Sequence, residues 1–205
     1  MTIALGVDVG VRKGCHAVAI DEDGTLVHRA HLAVPAELRR VLEEFPPDIV
    51  AIDSPPRWAP TGQRSRACER ALLRLGIHCF FTPDAERGES HSFYEWMRVG
   101  FECFKVAVGM DVATLEVFPY ACAVTLRGSC APARSAKRAW RIAALEVAGV
   151  RVVELTGVDE IDAALAAVAG RAWLNGTASA VGHPAEGEIV LPVPELLTRY
   201  PRAAV

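Results

Sequence analysis

The sequence predicts a single α/β domain over residues 1–205, built on a mixed central sheet in which an antiparallel three-strand meander is continued by parallel strands and flanked by helices. Three observations lead there. Strand-like runs at residues 3–9, 15–20 and 25–34 are separated only by turn-sized stretches, Gly10 to Gly14 and Asp23-Gly24, which fit antiparallel hairpins. Beyond residue 35, helical stretches lie between most of the later strand-like runs, the pattern of parallel strands joined by crossovers. A chain of 205 residues, 51% apolar and 23% charged, can bury a full core in one body.

The later elements follow from local signals. Pro35 opens a helix through Phe45, because its fixed φ suits a first helical turn. Residues 48–53, rich in Ile, Val and Ala, form a strand for the sheet centre, and the preceding helical crossover makes it parallel to the first. A helix over 64–75 ends at Gly76, and 77–81 reads as a short strand. A helix over 91–108 precedes a core strand at 112–118, which Pro119 stops. Two more helices are expected at 135–148 and 159–174, and the Gly- and Pro-rich tail from Ser179 is given one short strand at 188–191.

Composition removes several function classes. A net charge of -3 gives no global field toward nucleic acid or anionic membrane, so either partner would need a local patch. The six cysteines contain no Cys-x-x-Cys pair, and Asp8 interrupts the N-terminal apolar run that a signal peptide would need; the expectation is reduced thiols in a cytoplasmic protein. No apolar run approaches the roughly 20 residues of a membrane span, and Asp159, Glu160 and Asp162 interrupt the alanine-rich stretch near Ala163. His28 and His31, three apart on a strand, face opposite sides and are read as exposed strand residues rather than metal ligands.

Four acids stand out. Side chains alternate along a strand, so Ala4, Gly6 and Asp8 share a face of the first, and Ile49, Ala51 and Asp53 share a face of the fourth. If the two strands are parallel neighbours, Asp8 and Asp53 meet about 5 Å apart at the carboxyl edge, where open α/β sheets place their ligands. Each alone could simply cap a turn. Glu116 lies inside an apolar strand, where a buried charge requires a metal, an arginine or exposure at the sheet edge; the metal is the preferred expectation. In the helix from residue 159, Ile161, Leu165, Val168 and Ala172 form the core stripe, with Asp159, Asp162 and Ala166 on an adjacent face. Asp159 fits a helix start through the dipole alone, whereas the alanines around Asp162 would let this helix approach the sheet and aim that carboxylate inward.

The ordered segments Gly6-Val-Asp-Val-Gly, Ala51-Ile-Asp-Ser-Pro, Arg66-Ala-Cys-Glu-Arg, Glu116-Val-Phe-Pro and Asp159-Glu-Ile-Asp-Ala-Ala span nearly the whole chain. Together they resemble the RNase H-fold nucleases grouped as domain of unknown function 429. That resemblance implies an RNase H-like fold in which Asp8, Asp53, Glu116 and Asp162 form the acidic set, with Asp159 in support. It further implies two Mg²⁺ or Mn²⁺ ions, with Asp8 bridging, that activate water and stabilise the leaving oxygen of a nucleic-acid phosphodiester. Lys13, on the turn beside Asp8, would contact phosphate.

Arg134, Lys137, Arg138 and Arg141 share one face of the helix expected there and could track a nucleic-acid backbone. A solvated helix surface is the preferred alternative, because net charge is negative and no aromatic row accompanies the patch. Arg66, Glu69 and Arg70 fit the same family motif and equally well an intrahelical set of ion pairs. Two further functional classes compete with the nuclease: a non-catalytic binding module on the same fold, and an actin-like sugar kinase or ATPase. The latter would need two such domains and a second glycine-clustered phosphate loop, which the sequence lacks.

Overall fold

The computed structural model describes residues 1–131, 137–152 and 154–203. The meander is β1 (Ile3–Asp8), β2 (Cys15–Asp21) and β3 (Leu26–Leu32), followed by β4 (Ile49–Asp53), β5 (Ala113–Val117), β6 (Ser179–His183) and β7 (Gly187–Leu191). These make one seven-stranded sheet in the order β3-β2-β1-β4-β5-β7-β6. The meander and the β6–β7 hairpin are antiparallel, while β1–β4, β4–β5 and β5–β7 run parallel. The mixed sheet expected from the sequence is therefore present, with β1 and β4 at its centre.

Seven helices are described: α1 (Leu38–Glu44), α2 (Ala67–Arg74), α3 (Ala85–Ser90), α4 (Glu95–Val108), α5 (Pro119–Arg127), α6 (Lys137–Val147) and α7 (Val158–Leu174). Each face of the sheet carries its own core. On one, Leu38 and Leu42 of α1 and Cys103, Phe104 and Ala107 of α4 pack on Leu5, Val7, Val50 and Ile52. On the other, α7 lies over Ala4, Ile49 and Ala51, with α5 and α6 stacked beyond it. Because α7 is enclosed by the sheet below and helices above, it is buried on nearly all sides, from Ile161 through Gly170, and not along the single stripe its periodicity suggests. Among the described residues no helix is long and apolar enough to cross a membrane.

Several elements depart from expectation. Residues 77–81 form no strand: Ile77 is buried in the core, its N–H bonded to Leu72 O, whereas Phe80 and Phe81 point outward. Pro119 does not end structure but begins α5, occupying the first helical turn, where its missing N–H costs nothing. The short helix α3 is capped by Asp84, whose side chain accepts from Arg87 N. In the tail the expected strand is β7, and it is joined by an antiparallel partner, β6, through a turn in which Gly187 has φ 102°. His28 stacks on Phe45 at 5.1 Å, and His31 meets the edge of His16 at the same separation.

Candidate active site

Register brings the first two acids together directly. In the parallel ladder of β1 and β4, Asp8 is the partner of Asp53, so both carboxylates leave the sheet on the same face at its carboxyl edge. That face belongs to α7. A Cβ on Gly6 would lie 1.9 Å from Ala163 O and 2.3 Å from Ala167 N, so the helix backbone rests against the strand with only a glycine between them. One turn and more further on, Gly170 sits over Ala4 and Ala51, where a Cβ would be 3.3 and 3.5 Å from theirs. This file of small residues lets α7 descend onto the sheet, and Asp162, adjacent to Ala163, descends with it.

The electrostatics report the resulting crowding. Burial pushes the Asp8 carboxyl up to about 9, and the charges of Asp53, Asp162 and Asp159 push the same way. Asp53 is raised by burial and then by Asp162, with Arg141 pulling it back. Asp162 rises less, to about 6, because Arg141 opposes its burial. Arg141 Nε stands 2.6 Å from Asp162 Oδ1, with both side chains largely buried, a close charge contact without the alignment of a hydrogen bond. Asp159 is more open and pairs with Lys13 Nζ at 3.6 Å. Three half-buried carboxylates thus crowd together with one guanidinium, Arg141, acting on Asp53 and Asp162, an arrangement that hard cations with oxygen ligands satisfy. Among the described residues, no three acid, cysteine or histidine side chains already stand at the spacing of one coordination sphere.

Glu116 stands apart from this trio. Register pairs it with Ile52, the residue before Asp53, so it points to the opposite face of the sheet. There Arg66 clamps it, donating from Nη1 and Nη2 to its two carboxylate oxygens at 2.7 and 2.5 Å. Burial pushes the Glu116 carboxyl up, and the Arg66 guanidinium holds it down. Arg66 Nε also donates to Glu69 Oε1, which accepts in addition from Thr82 N and Thr82 Oγ1. All four residues are buried. The charge that the sequence assigns preferentially to a metal is met by an arginine 50 residues away in the chain. Arg70, by contrast, faces outward to Ser65 and Glu186.

A cavity of about 280 Å³ is lined by Asp53 of the first group and by Glu116 with Arg66, Glu69 and Thr82, and on its apolar side by Phe80 and Trp96. Sequence reasoning did not anticipate it. Its only advance signal is the Arg66-to-Arg70 motif, read without knowledge of what Arg66 contacts.

The basic residues divide. Arg141 turns inward to Asp162, and Arg138 Nη2 donates to the carbonyls of Leu155 and Thr156. Lys137 is exposed and close enough to help hold Asp162 down. Arg134 lies outside the described residues.

Comparisons with known proteins agree with this architecture. The T. thermophilus RuvC in complex with Holliday junction substrate is similar in structure, at 15% identity and a TM-score of 0.50, covering 86% of this chain and 97% of that one. A second Thermus thermophilus RuvC structure gives 15% identity, a TM-score of 0.51 and coverage of 88% and 99%. A likeness at this identity establishes the fold, which is RNase H-like. No curated protein matches the sequence. The family described as "Protein of unknown function (DUF429)" matches residues 6–186, and the chain belongs to it.

Proposed function

We propose that this protein is a metal-dependent nuclease that hydrolyses phosphodiester bonds in nucleic acid at the edge of β1 and β4. The observation that carries the proposal is the direct pairing of Asp8 with Asp53 beneath Asp162, three half-buried carboxylates whose mutual repulsion a single arginine leaves largely uncompensated. Similarity in fold to a protein that binds Holliday junction DNA supports the same substrate class.

In this reading Asp8, Asp53 and Asp162 would hold Mg²⁺ or Mn²⁺, with Asp159 at the outer rim. Bound there, the ions supply an activated water and a counter-charge for the leaving oxygen. The chain's own residues do the rest. Lys13 and Lys137, both exposed at the mouth, offer cations to the phosphates flanking the scissile one. Arg141 keeps Asp162 ionised until it is needed as a ligand. Glu116, fixed by Arg66, forms the wall beside Asp53 and does not join the ligand set.

The test is cleavage of a broad panel of DNA and RNA substrates in Mn²⁺ or Mg²⁺, with EDTA and Asp8→Asn as controls. The proposal expects activity that both controls abolish, with Asp8→Asn still folded. A second reading, a binding module without catalysis, is favoured by Arg141, which already acts as a built-in counter-ion to Asp162. Nucleic-acid binding with no cleavage anywhere in the panel, or cleavage that persists in Asp8→Asn, would move the assignment there.

A further inference from the structure

Phe80 belongs to two concavities at once. It lines the cavity that Asp53 also lines, and it lines a second groove of about 270 Å³ together with Arg64, Phe81, Arg87, Phe93 and Tyr94. The groove is aromatic and open. Phe80 is 66% exposed, Phe93 47% and Phe81 39%. Single exposed apolar residues are ordinary, but a contiguous patch of large rings marks a binding surface. The rings brace one another edge to face, Phe80 on Phe93 at 5.4 Å and Phe93 on Tyr94 at 5.1 Å. Such packing fixes their orientation and leaves flat faces available to a ligand.

The charges around the rings point to the kind of ligand. Among the described residues neither Arg64 nor Arg87 forms an ion pair. The nearby Asp84 carboxylate is engaged with the backbone, accepting from Gly62 N and Arg87 N, although Glu86 flanks the same stretch. Aromatic faces interleaved with arginines suit a chain of alternating planar bases and phosphates, and suit unpaired strands in particular, since bases within a duplex offer no free face. Continuity adds direction: the same Phe80 ring leads from the groove into the cavity at Asp53.

We propose that the surface formed by Phe80, Phe81, Phe93 and Tyr94 with Arg64 and Arg87 is a platform for single-stranded nucleic acid. Bases stack on Phe80 and Phe93, phosphates lie against the two arginines, and the strand passes Phe80 toward Asp53. This rests on the nuclease proposal and narrows its substrate to nucleic acid with an unpaired segment near the cut.

The test is binding of a fluorescent single-stranded oligonucleotide and of its duplex in EDTA, where metal-dependent cleavage cannot intervene, for wild type, Phe80→Ala, Phe93→Ala and Arg87→Glu. Stacking contributes about 1–3 kcal/mol per base, so each Phe→Ala should weaken single-strand binding by about five-fold or more and leave duplex binding nearly unchanged. Arg87→Glu should weaken binding and flatten its salt dependence. An oligonucleotide carrying 2-aminopurine should be quenched by wild type and not by Phe80→Ala. Because Phe80 and Phe93 are exposed, thermal melts of both variants should match wild type, which separates lost stacking from misfolding. If single-strand affinity and quenching are unchanged in both variants while the protein still cleaves some substrate, the platform is overturned and the nuclease proposal stands. If wild type neither binds nor cleaves any nucleic acid, both fall together.

Discussion

Arg141 Nε lies 2.6 Å from Asp162 Oδ1, so the cation nearest the acidic cluster contacts the carboxylate delivered by α7 and not the pair on the sheet. Its removal leaves the largely buried Asp162 carboxylate beside like charges and without its ion-pair partner. Breaking one side of a buried ion pair costs about 3–5 kcal/mol. We expect Arg141→Met to lower the Tm in EDTA, and Mn²⁺ to raise the Tm of this variant more than that of wild type, because the ion takes over the lost charge. Equal Mn²⁺ responses would place the ion away from Asp162.

The pH dependence has a definite sign. In the folded chain Asp8 keeps its proton up to about pH 9, against 3.8 when unperturbed, and Asp53 and Asp162 shift in the same direction. The unfolded chain releases those protons first, so stability is fullest at about pH 4 and declines as pH rises toward 9. Thermal melts in EDTA should therefore give a lower Tm at about pH 9 than at about pH 5, and Mn²⁺, which favours the ionised carboxylates, should narrow the gap. A metal-free Tm that rises over this range would mean that these acids are ionised and individually paired.

Asp8→Asn removes the group that bears most of this strain. An amide carries no charge to lose, so the variant should melt higher than wild type in EDTA, by an amount that grows with pH and corresponds to about 1 kcal/mol or more at neutral pH. The Mn²⁺-induced rise seen in wild type should largely vanish. Should Asp8→Asn melt lower in EDTA while wild type ignores the metal, Asp8 is a structural hydrogen-bonding residue and the acidic site has no ionic role.

Arg66 supports the opposite wall. With Arg66→Met, Glu116 and Glu69 are left as buried carboxylates without their shared guanidinium, and a destabilisation of about 3–5 kcal/mol is expected in urea unfolding. The conservative Arg66→Lys should recover little, since a point charge cannot supply the forked donors that grip both oxygens of Glu116. Full recovery by lysine would show that charge alone, without the two-pronged geometry, holds this wall.

How far the sequence leads is clear from individual residues. Alternation and turn chemistry place β1 to β4, and the alanines around Asp162 signal the close helix-to-sheet contact from the sequence alone. Glu116 was not so accessible. Whether it faces Asp53 or turns away depends on β5 pairing it with Ile52, and a slip of one residue in a ladder reverses every side chain. No local signal sets that register. Pro119 and residues 77–81 are ambiguous for a different reason: proline both closes strands and opens helices, and a short apolar run such as Ile-His-Cys-Phe-Phe reads alike whether it enters a sheet or, as here, anchors one end in the core and presents its rings outside. Arg141 reads as part of an outward basic face because its partner, Asp162, sits on another helix.

The contact at Gly6 has a bearing on which ion the protein can use. Since α7 meets β1 through backbone atoms, the spacing between Asp162 and the Asp8–Asp53 pair is set by peptide groups that do not re-space easily, unlike long side chains that can choose new rotamers. A frame of that kind discriminates by ionic radius. Ca²⁺ asks for six to eight loosely arranged oxygens at longer range, whereas Mg²⁺ accepts a few short, nearly octahedral ones and keeps its remaining waters. The protein should therefore prefer the smaller cations, with Ca²⁺ competing poorly against Mn²⁺ in the same melts. Gly6→Ala, by prising the helix off the strand, should blunt that preference even where the variant still folds.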